Sequence, residues 1–265
     1  QGLQDKIKNV YRDGMFLPTG IVAAERKTTE VRGQAVVSLG KLDAVQMLTP
    51  VPVAHAMGLG ALGAMEVIAA LNLSGDAVTV STALADEIGD AALALPGDVT
   101  DLAQVEDAVA KAAAHFGGID AAFANAGKGL DTPGTENGDP EEWRQLVDLN
   151  IMGLLYTARA TLPELRKTKG HLLLTGSAAG RNHIKGSIYG ATKWFVHGYG
   201  GNMSDEMRDW GGRCTVISPG MVDTPFFDTP KPDKIQPDDV ANAVVFALSQ
   251  PRSADVREIH IMPSG

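Results

Sequence analysis

The chain reads as one α/β domain on a doubly wound parallel sheet, and three observations carry that reading. From residue 91 onward, apolar strand-like runs alternate with helical patterns of about ten or more residues, which makes successive βαβ units. The turns "GDV", "NAG", "TGS" and "SPG" fall at the carboxyl ends of the strands, where open α/β sheets bind ligands. A length of 265 residues, 44% hydrophobic and 21% charged, suits one large domain better than two ordinary ones and contains no tract polar enough to stay disordered.

Taken in order, "LQDKIKNVYRDGM" (3–15) can form a short amphipathic helix, although residues 1–50 as a whole stand as an atypical, unassigned segment of the domain. "GQAVVSLG" (33–40) and "DAVTVST" (76–82) read as strands. Between them, Gly58, Gly60 and Gly63 form G-x-G-x-x-G ahead of a helical pattern. That arrangement lets backbone approach a pyrophosphate at a helix N-terminus. Ala- and Gly-rich sequence also produces it by chance, and the prolines of "TPVPVAHAM" make a poor central strand before it, so the two readings stand level. Beyond residue 90 come a strand (91–99), a helix (103–117), a strand (119–127), a long helix (140–168), a strand (170–178), a helix (188–210), a strand (213–220), a helix (237–250) and a strand (256–264).

A net charge of −9 with no basic run argues against nucleic acid or an anionic membrane as partner and favours a small molecule. Cys214 is the only cysteine, so no internal disulfide forms, and its place in "RCTVIS" reads as a small buried hydrophobe. No run approaches the roughly 18 apolar residues of a membrane span, and "QGLQDKIK" lacks a signal-peptide core, so the expected compartment is the cytoplasm. None of the histidines at 55, 115, 171, 183, 197 and 260 has metal-ligand spacing, and no metal is expected.

Chemistry concentrates in "SIYGATKWFVHGYG" (187–200), where Tyr189 and Lys193 share a helix face. An adjacent ammonium favours the phenolate, which would bring a phenol of pKa about 10 into range for general acid/base work. A tyrosine and a lysine on a solvated face would show the same spacing, and the surrounding motifs decide between the two. These are "GDVTD", "NAG" (Asn125 to Gly127), "LNIMG" with Asn150, "LLTGSAAG" with Ser177 twelve residues before Tyr189, and "SPGMVDT".

In that fixed order the motifs resemble the short-chain dehydrogenase/reductase family over residues 91–265, which implies a Rossmann-like fold. The resemblance implies that Asp98 meets the adenine of NAD or NADP and Val99 lines its pocket, and that Asn125, Ala126 and Gly127 pack beside the cofactor. It implies further that the backbone around Pro219, Gly220 and Val222 meets the nicotinamide, with Thr224 beside the amide or pyrophosphate. Ser177 would donate a hydrogen bond to the substrate oxygen, Tyr189 would transfer the proton, and Lys193 would serve both the phenolate and the ribose. Asn150, in a local break of its helix, would complete a proton path. Relatives also pair helices equivalent to 140–168 and 188–210, so a homodimer or homotetramer is expected.

The sequence departs from the family in its first 90 residues. The family's opening T-G-x-x-x-G-x-G is absent, with "GLGALG" (58–63) and "VVSLG" (36–40) as nearest substitutes, and only "LADEIGD" follows the strand at 76–82. Ser81 and Thr82 stand where charge would choose between NAD and NADP, and decide nothing. Either the nucleotide half is diverged or extended, or these residues do not represent the encoded family protein, for example through a shifted reading frame.

The expected activity is NAD(P)(H)-dependent interconversion of a secondary alcohol and a carbonyl. Phe226 and Phe227 form an apolar wall of a shallow pocket, His183 lies within reach of substrate, and Trp194, Phe195 and Tyr199 serve core or subunit interface. The rivals are a catalytically silent dinucleotide-binding protein and a sugar-nucleotide epimerase or dehydratase.

Overall fold

The structure is a computed structural model. It describes the backbone of Val36–Leu39, residues 93, 95 and 97–224, and residues 226 and 229–265. Among the described residues, five parallel strands form one sheet in the order β1 (Val36–Leu39), β2 (Ala121–Ala124), β3 (His171–Thr175), β4 (Arg213–Pro219), β5 (Glu258–Ile261). Neighbours run in register from Val36 beside Ala121 to Pro219 beside Ile261. Strands β2 and β3 are buried at nearly every position. This accounts for their continuous apolar sequences, since a parallel sheet covered on both faces has no polar side.

Helices α1 (Leu102–Phe116), α2 (Pro140–Val147), α3 (Leu154–Thr168), α4 (Ile188–Arg208) and α5 (Pro237–Ser249) make the crossovers. Each start is written in the sequence. Asp101, Asp139 and Ser187 accept backbone N–H bonds as N-caps, Pro140 and Pro237 occupy first helical positions, and Gln236 with Asp239 closes a capping box. On α1 the buried residues Val105, Ala108, Val109, Ala112 and Phe116 recur at helical spacing and face the core. Helix α1 packs on α3, α3 on β2, and α4 on β4.

The long helix expected over 140–168 is interrupted: Asp148–Gly153 is a π-helical turn between α2 and α3. Within the stretch expected as a strand over 91–99, residues 93, 95, 97 and 98 take no ladder position and Val99 opens a turn. Pro96 removes one ladder donor from that stretch. The helix expected at 3–15 and the strand at 76–82 lie outside the described residues, as do Gly58, Gly60, Gly63 and Phe227. Cys214 is fully buried in β4, and burial pushes its thiol pKa up. Among the described residues no helix is long and apolar enough to cross a membrane.

Candidate active site

The carboxyl ends of β2, β3 and β4 open into one cavity of about 570 Å³. Asn125 and Gly127 line it from β2, Thr175, Gly176 and Ser177 from β3, and Pro219, Gly220, Val222 and Thr224 from β4. Helix α4 brings Tyr189 and Lys193 to the same space. It can lie that close to β4 because Gly200 has no side chain, and a Cβ there would stand 2.3 Å from Val216 Cγ2.

Ser177 leaves β3 in an extended conformation and caps the 3₁₀ turn Ala178–Gly180, its Oγ accepting from Ala179 N at 3.1 Å. It reaches the same cavity as the Tyr189 phenol, whose pKa the Ser177 hydroxyl pulls down. One turn further along α4, Lys193 is buried and donates from Nζ to the Thr175 carbonyl at 2.8 Å. Burial alone pushes its ammonium down to about 8. Burial likewise pushes the Tyr189 phenol up, with the Ser177 hydroxyl pulling the other way.

The expectation that Lys193 lowers the Tyr189 pKa is therefore corrected. Burial is the largest influence on the phenol and raises its pKa, while Nζ donates to the Thr175 carbonyl and stands 5.8 Å from the phenol ring centroid.

Asn150 sits in the π-helical turn, where the wider backbone loop presents it to the interior. Its Oδ1 accepts from Lys128 N at 2.8 Å, and its Nδ2 donates to Lys128 O at 3.0 Å and Thr192 Oγ1 at 3.1 Å. A Cβ on Gly127 would stand 3.3 Å from Asn150 Oδ1 and 3.5 Å from Lys193 Nζ, so glycine keeps open the approach to both groups. Thr175 Oγ1 donates to Asn125 Oδ1, tying β3 to β2 at the cavity edge. Ala126 is half-buried against the core.

Two adenine-site expectations fall apart from this cluster. Asp98 Oδ1 accepts from Thr100 N at 2.9 Å and Thr100 Oγ1 at 2.7 Å, and Val99 is fully buried against Gly153. Neither lines the cavity. His183 stacks on Trp194 with ring centroids 5.3 Å apart, away from the lining, and Phe195 stacks on Tyr199 against the core. Phe226 does line the cavity, 5.6 Å from the Tyr189 ring, and Ile184, Met221 and Met262 complete an apolar rim. Sequence reasoning missed those three, which no local pattern joins. It also missed Thr192, whose place three residues after Tyr189 was a usable signal. The strand of "VVSLG" is β1, and Leu39 pairs with Ala124 beside the cavity.

The chain belongs to the short-chain dehydrogenase family, whose model matches residues 53–234. It is 39% identical over 179 residues to an uncharacterized oxidoreductase of Staphylococcus aureus, an alignment covering 66% of this chain and 77% of that protein. An uncharacterized oxidoreductase of Staphylococcus epidermidis is 35% identical, with 68% and 80% covered. Among solved structures, serine dehydrogenase from Escherichia coli matches with a TM-score of 0.71 at 26% identity, over 86% of this chain and 97% of that one. A 3-ketoacyl-(acyl-carrier-protein) reductase from Brucella melitensis complexed with NADH matches with 0.71 at 25%, over 85% and 95%. An alcohol dehydrogenase from the archaeon Thermococcus sibiricus complexed with 5-hydroxy-NADP matches with 0.71 at 26%, over 86% and 96%. The chain is thus an oxidoreductase of this family with a Rossmann fold.

Proposed function

We propose that the chain interconverts a secondary alcohol and a carbonyl with NAD or NADP, using Ser177, Tyr189 and Lys193 with Asn150 behind them. The observation that carries this reading is the convergence of Ser177, Tyr189 and the buried Lys193 on one cavity. Two hydroxyls lining one cavity can bracket a single substrate oxygen.

The cavity fits a dinucleotide end at its backbone-lined side, from Asn125 and Gly127 to Pro219, Gly220, Val222 and Thr224. The side-chain-free face of Gly127 leaves Lys193 Nζ open to ribose hydroxyls. The nicotinamide, when bound, gives or accepts hydride at C4. In carbonyl reduction, Ser177 donates a hydrogen bond to the substrate oxygen and the Tyr189 O–H breaks to deliver its proton there. The Thr175 bond holds the Lys193 ammonium in place beside the phenolate that forms, and proton return runs past Asn150. Gly58, Gly60 and Gly63 are the proposed pyrophosphate approach. The protein is a cytoplasmic homodimer or homotetramer on this reading, acting on a small molecule.

Fluorescence titration with NADH and NADPH, followed by nicotinamide absorbance with ethyl acetoacetate, diacetyl and acetophenone, tests it. Binding of one dinucleotide and reduction of a carbonyl probe are expected. Binding without turnover of any probe, in either direction, would favour a silent dinucleotide-binding protein, the reading to which the missing T-G-x-x-x-G-x-G points.

A further inference from the structure

Tyr189, Lys193 and His197 follow one another at intervals of four on one face of α4. The third of them is buried behind the Ser177 loop rather than in the cavity. His197 Nε2 lies 3.1 Å from the Ser177 carbonyl and 3.3 Å from Ser218 Oγ, while Nδ1 lies 3.3 Å from Glu258 Oε1, off the hydrogen-bond direction. The loop is shaped around the ring. A Cβ on Gly176 would come within 3.0 Å of Nε2, and one on Gly180 within 2.5 Å of Cδ2.

The same loop is tied at its other end. Arg181, next after the 3₁₀ turn, donates from Nε to Glu258 Oε1 at 3.2 Å and from Nη2 to Glu258 Oε2. Glu258 therefore faces both His197 and Arg181, and the five residues from Ser177 to Arg181 are stapled to β5 through one carboxylate. We infer that His197 is a positioning residue for Ser177, donating from Nε2 to its carbonyl and so fixing where its Oγ points.

The tautomer follows from the partners. The Ser177 carbonyl can only accept, so the ring proton belongs on Nε2, and Glu258 takes its donors from Arg181. Burial lowers the His197 pKa, opposed by the Ser177 carbonyl and Glu258 and assisted by Arg181 and Lys193, which favours this neutral form. His260 joins the cluster through Ser218 Oγ at 3.4 Å. With its carbonyl held by His197 and its Oγ accepting from Ala179 N, the Ser177 hydroxyl keeps its proton for the phenol or for substrate.

The inference rests on Ser177 acting on substrate, and the test separates the two claims. With the probe carbonyl reduced fastest, His197→Leu should lower kcat by about 10-fold to 10²-fold, the cost of a misplaced reacting group, with dinucleotide affinity unchanged. His197→Gln, which can donate to the same carbonyl, should recover most of the loss. In a Ser177→Ala background His197→Leu should cost almost nothing more, because it acts through the missing hydroxyl. An equal loss in both backgrounds, no loss in either, or no recovery by Gln at an unchanged melting temperature would overturn the inference. Should His197→Leu fail to fold, Arg181→Met loosens the staple from its half-exposed end. It should lower kcat about threefold only where Ser177 is present, and an unchanged kcat overturns the inference. Ser177→Ala turning over at the wild-type rate would instead remove the reading of Ser177 itself.

Discussion

The floor and the rim of the cavity are built by opposite means. On the floor Lys193 is 4% exposed, with Asn150 behind the lining at 1%, and their polar groups reach Thr175, Lys128 and Thr192 at 2.8 to 3.1 Å. At the rim, Ile184 and Met262 are 53% and 52% exposed and offer apolar surface to solvent. A buried donor or acceptor left unmade costs about 1–3 kcal/mol, so floor atoms are locked by their partners. An exposed methionine loses only part of about 25 cal/mol per Å² when it is trimmed. On the proposed function, the difference assigns the chemistry to the locked floor and substrate choice to the adjustable rim.

The largest break in that contrast is Lys193→Met. Removing the ammonium should lower kcat/KM by about 10⁴-fold, because cofactor binding and proton transfer fail together. Stability should not fall with it, since the folded protein already disfavours this charge. The sign follows from a folded pKa of about 8, below the ordinary 10.5: the cost of the buried ammonium is present at neutral pH and relieved as pH rises from 8 to 10.5. Dinucleotide affinity of the wild type should weaken over the same rise. Titrations at pH 7 and 9, with urea unfolding of the variant, check both.

Asn150→Ala should take the side-chain partner from Lys128 N and Lys128 O together, while Thr192 Oγ1 keeps its bond to the Tyr189 carbonyl. We expect a loss of about 2–3 kcal/mol in urea unfolding and about 10-fold in kcat. A stability change below the scatter of the measurement would mean the π-helical turn does not depend on this side chain.

His171 sharpens the comparison by being buried without full partnering. Thr215 gives its proton to the Val256 carbonyl, so His171 must donate to Thr215 from Nε2, and Nδ1 has no partner among the described residues. A second proton would have no acceptor, and burial with the nearby Arg213 charge pushes the pKa down to about 3. The unfolded imidazole binds a proton near 6.5 that the folded one refuses, so stability is full above that value and lost as pH falls toward 3. About 2 kcal/mol should be gone by pH 5. His171→Leu should flatten that part of the profile.

The smallest effect belongs to the rim. Met221→Ala should change the KM of an apolar carbonyl probe about threefold and leave kcat, cofactor affinity and melting temperature alone. A loss in kcat as large as that of Asn150→Ala would erase the distinction between floor and rim.

What the sequence disclosed follows the same division. Tyr189 and Lys193 were visible from an interval of four, Asn150 and its helix break from "LNIMG", and the turns after β2, β3 and β4 from small-residue motifs. The partner of Lys193 is a backbone carbonyl, which carries no side-chain signal. The rim joins Ile184, Met221, Phe226 and Met262 across 79 positions of chain, and only the sheet brings them together. His197 is the third step of the Tyr189 ladder, but its partners, a carbonyl of the Ser177 loop and Glu258 of β5, come together only through the fold.

Tyr189→Phe tests the central claim most directly, because it keeps the ring against Phe226 and removes only the hydroxyl. Turnover of the best carbonyl probe should fall by about 10²-fold to 10⁴-fold while the dissociation constant for NADH or NADPH stays within a factor of about two. Reduction at the wild-type rate would contradict the account, leaving Ser177, Tyr189 and Lys193 as a packed and hydrogen-bonded wall without a role in proton transfer.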